Sequence, residues 1–163
     1  MREICEGNGG KLAEVIASKG QVVTVPVGIS MWPMLKNRKD HIVIEKVNRP
    51  LRKYDVPLYR RPGLQNKYVL HRIIKVRKKG GYVICGDNLW KKEYDITDQE
   101  IVGVLKGFFK GDKYIDCETS KGYHCYVYVW RFFYPLRACL LWGKMTLGRI
   151  KRKWIGKKEQ GKK

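Results

Sequence analysis

The chain has 163 residues, with 35 Lys and Arg against 15 Asp and Glu, for a formal net charge of +20. That charge lies far outside the range of a near-neutral soluble enzyme and calls for an anionic partner or surface, either nucleic acid or membrane lipid. The length is that of one ordinary domain able to bury on the order of two thirds of its unfolded surface, so it needs no covalent or metal staple.

In chain order, residues 1 to 21, "MREICEGNGGKLAEVIASKGQ", mix charges and glycines where a secretory signal needs a continuous apolar stretch. Residues 10–18 suit a short amphipathic helix with Leu12, Val15 and Ile16 on its buried side. From Gln21 the character becomes β. The stretches "QVVTVPV", "HIVIEKV", "DVPLYRR", "KYVLHRIIKVR", "GYVIC", "IVGVLKGFF" and "KYIDC" are rich in Val, Ile and Tyr, with turn signals such as "NRKD", "RPGLQN", "KKGG" and "KGDK" between them. Such short strands without long helical inserts predict a mostly-β domain, a folded sheet or partly closed barrel.

Residues 123–142, "YHCYVYVWRFFYPLRACLLW", hold eight aromatics with only Arg131 and Arg137 as fixed charges. Each Arg near the centre of a membrane span costs roughly 2.5 to 3.5 kcal/mol, and Pro135 adds a kink. A helix or helical pair in the membrane interface costs less than a full span, and capping of the β core is the competing reading. The last 20 residues carry nine basic side chains and one acidic, so +8 of the net charge sits in a tail. The expected organisation is a helical segment at 1–20, a β domain at 21–118, an aromatic amphipathic segment at 119–143 and a basic tail at 144–163. The implied location is peripheral on a membrane or cytoplasmic. The five cysteines, Cys5, Cys85, Cys117, Cys125 and Cys139, are odd in number and form no C-x-x-C pair, so they read as reduced thiols. No metal or other cofactor is implied.

The chemistry centres on "GISMWPML", residues 28–35, which sets the small hydroxyl of Ser30 between a β-branched run and a rigid Trp-Pro pair. A serine hydroxyl is a weak nucleophile until a neighbouring base takes its proton. Of the three histidines, His41 follows Asp40 at the edge of a turn and His124 opens the aromatic segment. His71 lies within "KYVLHRIIKV", where strand alternation sets it beside Val69 and Ile73. Partial burial there keeps an imidazole neutral, as a general base must be. A carboxylate to orient it is offered by "GDNLWKKEYDITD", with Asp87, Glu93, Asp95 and Asp98; Gly-Asp-Asn is also ordinary turn chemistry.

The ordered set "GISMWPML", "YVLHRII", "YVICGDN" and "DQEIVGVL", spanning residues 21 to about 109, resembles the signal peptidase I and LexA-type serine peptidase group. The resemblance implies a signal-peptidase/LexA-like folded β-sheet and a serine endopeptidase acting on a signal, leader or precursor peptide. It implies Ser30 as nucleophile, with its own peptide N–H donating to the oxyanion. His71 stands where most bacterial members have lysine, which is closer to the histidine-using members of the endoplasmic reticulum and archaea. Asp95 falls near the place of the orienting aspartate and Asp87 matches that of the G-D-N element. The D-S-R common in bacterial members is replaced here by "DIT", leaving Asp95, Asp87 or, as a fallback, Glu93 for that role. The chain also lacks the amino-terminal membrane helices usual in the group, and 20 residues before the first strand are too few for the DNA-binding domain of a LexA-type repressor. Met31, Trp32 and Met34 would line an apolar pocket or lip, with core packing preferred for Met34 and Leu35. Expected partners are a peptide or protein substrate and an anionic membrane surface reached through 123–163. The competing class is a non-catalytic polyanion- or nucleic-acid-binding protein on the same fold, supported by the charge and by aromatics set among basic residues.

Overall fold

A computed structural model describes residues 9–61, 67–78, 80–140 and 143, with residues 9–11 and 95 described through their backbone alone. The basic tail at 144–163 lies outside the described residues, as do Cys5 and Trp142. Among the described residues the order is α1 (Gly9–Lys19), β1 (Gln21–Thr24), β2 (His41–Glu45), β3 (Pro57–Arg60), β4 (Tyr68–Leu70), β5 (Arg72–Val76), β6 (Tyr82–Cys85), β7 (Glu93–Ile96), β8 (Ile101–Lys110), β9 (Lys113–Asp116) and α2 (Lys121–Phe132). After a turn at Phe133 the chain is helical again over 134–140.

The fold is mostly β and antiparallel. Six strands form one sheet in the order β1-β2-β8-β3-β4, with β9 also on β8, and β5-β6-β7 form a second, three-stranded sheet. The ten-residue β8 is the spine of the larger sheet. One of its edges takes β2, while the other takes β3 near its start and β9 near its end. The sheets do not close into a barrel among the described residues, because β1 and β4 end the strand path of the larger sheet.

Hydrophobic burial follows the sequence pattern in most places. Leu12 and Ile16 of α1 pack with Ile42, Ile44, Leu105 and Phe108 of the sheet and with Tyr123 and Val127 of α2, while Val15 is half-buried. Each aliphatic side chain fully removed from water there contributes about 1.5–3 kcal/mol. Both helices therefore share one core with the larger sheet. A second cluster, Tyr59, Val69, Ile73, Tyr82, Ile84 and Ile96, lies where strands of the two sheets meet.

Two expectations about strands need correction. The stretch from Lys67 to Arg77 is two strands, β4 in one sheet and β5 in the other, with His71 alone between them. The reason is a change of hydrogen-bond partner. Pairing with β3 reaches only to Leu58 opposite Leu70. Beyond it, Ile73 exchanges both backbone hydrogen bonds with the 54–55 segment, Tyr54 N–H to Ile73 C=O and Ile73 N–H to Asp55 C=O, each 2.8 Å. The second correction is β7, which the polar stretch "EYDI" concealed. Its Ile96 is buried but Tyr94 faces out, so it shows no apolar run.

Candidate active site

The segment that carries Ser30 leaves the edge strand β1 and is folded into consecutive turns over 30–34. Gly28 has φ 110°, a conformation that favours glycine, and its N–H donates to Asn37 Oδ1 at 2.9 Å. Trp32 N–H donates to Ile29 C=O and Leu35 N–H to Met31 C=O. Met31, Met34 and Leu35 are buried in the main core, which anchors the turn, whereas Ile29 and Trp32 stand half exposed. Core packing therefore describes Met31 as well as Met34 and Leu35. Ser30 itself is buried.

Ser30 rests against the end of β6. Asn88 N–H donates to Ser30 C=O at 2.6 Å, and the Asn88 amide donates to Ile29 C=O at 3.1 Å. A methyl group added at Gly86 would stand 2.9 Å from the Ser30 carbonyl oxygen and 3.0 Å from the Ser30 Cβ, so this approach requires glycine. His71 directly precedes β5, whose first residue, Arg72, pairs with Cys85, the residue before Gly86. The β5–β6 ladder ends at that pair, so His71 and Gly86 each lie one residue beyond it.

The His71 ring is buried at 1% exposure. Its Nδ1 lies 3.1 Å from Glu93 Oε1 and 3.1 Å from the Tyr59 hydroxyl. An ionised carboxylate only accepts hydrogen bonds, so Nδ1 carries the proton and Nε2 is left as the basic nitrogen. Glu93 is well suited to hold that charge. Burial by itself would raise its carboxyl, but hydrogen bonds from His71 and Arg61, the Arg61 charge and, once the ring is protonated, the His71 charge bring it down to about 2. Arg61 contributes a two-pronged contact, Nη2 to Oε1 at 2.7 Å and Nε to Oε2 at 3.1 Å. The result is a chain of contacts from Arg61 through Glu93 to His71.

Asp87, expected as an orienter, serves elsewhere. Its carboxylate takes both prongs of the buried Arg72 guanidinium, at 2.7 and 2.8 Å, together with the Tyr126 hydroxyl at 3.1 Å. Burial alone would lower Arg72, yet the Asp87 charge outweighs it and the guanidinium is held well above its ordinary value. Arg72 further donates to Tyr54 C=O, the Tyr123 hydroxyl and Met34 Sδ. Asp87 faces Arg72 because strand neighbours point to opposite sides, so the partner of residue 72 is turned away from residue 71. Asp98 accepts from the Tyr82 hydroxyl at 2.6 Å. Asp95 lies on β7, but its side chain is outside the described residues. His41 is exposed, and the exposed His124 meets the Glu118 carbonyl at 2.9 Å.

No family model matches the chain, and no curated protein matches it. The site is therefore read from its own geometry. Two of its members, Arg61 and Tyr59, are not singled out by the sequence, and Glu93 enters there only as a fallback to Asp95 and Asp87. Glu93 was one carboxylate among four, and only recognition of "EYDI" as a strand paired with β6 would have preferred it. Ile84 pairs with Glu93 in that register, which sets Glu93 one strand beyond the β5–β6 ladder that His71 adjoins.

Proposed function

We propose that this chain is a serine endopeptidase of the signal peptidase type, with Ser30 as nucleophile, His71 as general base and Glu93 as the residue that orients and charge-balances His71. The observation that carries the reading is the buried His71, its Nδ1 held 3.1 Å from the Glu93 carboxylate, one residue beyond the β5–β6 rung whose other end leads into Gly86, the glycine against which Ser30 packs. The four sequence elements around Ser30, His71, Asp87 and β8 support the same assignment through their resemblance to that peptidase group.

In this mechanism the peptide substrate lies beside β1, an edge strand of the larger sheet, as an added strand. The chain leaving β1 leads directly to Ser30. The Ser30 Oγ attacks the scissile carbonyl while His71 Nε2 takes its proton, and the imidazolium is stabilised by Glu93. The Ser30 N–H donates to the developing oxyanion. His71 then returns the proton to the leaving amine, and water, deprotonated by the same imidazole, hydrolyses the acyl-enzyme. Asp87 and Arg72 hold the turn that supports Ser30 and take no proton.

The test compares turnover of wild type, Ser30→Ala and His71→Ala on a library of precursor-like peptides with small residues near the scissile bond. The expected loss is at least about a thousandfold for either substitution. Unchanged turnover in both variants overturns the assignment.

A further inference from the structure

The face of the carboxyl-terminal helices turned away from the sheets is apolar and exposed. Tyr128, Val129, Phe132, Phe133, Leu136 and Leu140 are between 50% and 79% accessible and recur at helical spacing across the break at Phe133. No helix among the described residues is long and apolar enough to cross a membrane. Beside it opens a cleft of about 310 Å³ lined by Lys75, Arg77, Lys92 and Arg131, with Tyr94 and two apolar residues and no acid among the described side chains. Arg131 belongs to both features, lying on α2 next to Phe132 while lining the cleft. Its Nε is buried without a hydrogen-bond partner among the described residues, and its guanidinium stands over the Tyr134 ring, 4.5 Å from the centroid. A cleft whose described charges are all positive is matched by an anionic oxygen.

We propose that this face docks on an anionic phospholipid surface, with a lipid phosphodiester in the Lys75–Lys92–Arg131 cleft and the side chains from Tyr128 to Leu140 in the bilayer interface. Charge complementarity favours this occupant. The final 20 residues of the sequence add a net +8. Basic residues near an anionic leaflet gain about 1 kcal/mol each. The mixture of aliphatic with aromatic side chains favours lipid over single-stranded nucleic acid, because Val129, Leu136 and Leu140 offer no ring for a base to stack on. The inference stands apart from the peptidase reading, since lipid binding is measured without substrate.

The test is flotation of the full chain with phosphatidylcholine vesicles, with and without phosphatidylglycerol. Three double variants accompany it: Phe132→Ser with Leu136→Ser, Lys75→Ala with Lys92→Ala, and the control Lys19→Ala with Lys46→Ala. All six positions are exposed, and circular dichroism checks that folding is intact. The expected result is binding only to the anionic vesicles, weakened at least about tenfold by each of the first two pairs and unchanged within about threefold by the control. Four outcomes overturn it. These are no vesicle binding, binding that both test pairs leave intact, saturable uptake of inorganic phosphate by the cleft with no dependence on the apolar residues, and preferential binding of a single-stranded oligonucleotide lost in the same variants.

Discussion

His71 and Arg72 are neighbours in the chain and equally buried, yet they choose different carboxylates. Arg72 turns to Asp87 and the helix α2, and His71 turns to Glu93 and Tyr59. A cation fully removed from water needs a complete set of acceptors, and Arg72 finds them in Asp87, the Tyr54 carbonyl and the Tyr123 hydroxyl. That demand ties Asp87 to the guanidinium and leaves Glu93, among the described carboxylates, facing the imidazole. Glu93→Gln tests the division. The amide keeps the shape but not the charge, so turnover is expected to fall about a hundredfold or more, and the rising limb of the pH–rate profile to move to lower pH as the imidazolium loses its anion. Measurement of kcat and kcat/KM across the acidic to neutral range checks both, and an unshifted limb would remove Glu93 from the mechanism.

At the scale of elements, α2 is what holds the Gly86–Asn88 turn against Ser30. The N-terminus of α2 is capped by the Ser120 side chain, which accepts from Tyr123 N–H. Tyr123, Tyr126, Trp130 and Tyr134 then follow at spacings of three and four and lie on one face. Tyr123 meets Arg72, Tyr126 meets the Asp87 carboxylate, Trp130 donates its indole N–H to the Asp87 carbonyl at 2.9 Å, and Tyr134 donates to the Trp90 carbonyl at 3.1 Å. The aromatic segment therefore has two faces, one buttressing the site and one exposed. Tyr126→Phe removes one of these hydrogen bonds while sparing the Arg72 pair, and is expected to cost about 1 kcal/mol. A urea titration should show a lower midpoint with an unchanged slope.

For the molecule as a whole, the site has a pH signature in stability. Glu93 is held at about 2 in the folded chain against its ordinary 4.5. A depressed carboxyl contributes stability that is fully present above 4.5 and is lost as pH falls from there through 2. With solvent screening of a partly exposed group, the contribution is about 2 kcal/mol. Urea unfolding of wild type should therefore weaken between pH 5 and about 3 by roughly half that amount, about 1 kcal/mol, more than unfolding of Glu93→Gln, which has no carboxyl to titrate there. Equal acid sensitivity in the two proteins would count against the Arg61–Glu93–His71 chain.

What the amino-acid order determined by itself was local. Seven stretches rich in Val, Ile and Tyr covered eight of the nine strands, with β4 and β5 read as one, the Leu12–Ile16 spacing marked α1, and the turn with Ser30 and the stretch with His71 stood out as chemistry awaiting a partner. Those signals live in a few consecutive residues, where propensity and periodicity act directly. Tertiary structure decided which carboxylate serves which cation, where the 67–77 run breaks between two sheets, and that a polar stretch becomes β7. Each depends on pairing between segments distant in sequence: the 54–55 backbone taking Ile73, β6 drawing in β7, and a buried guanidinium claiming Asp87. A single buried charge must be matched within about 3 Å, and only the folded chain brings its partner that close.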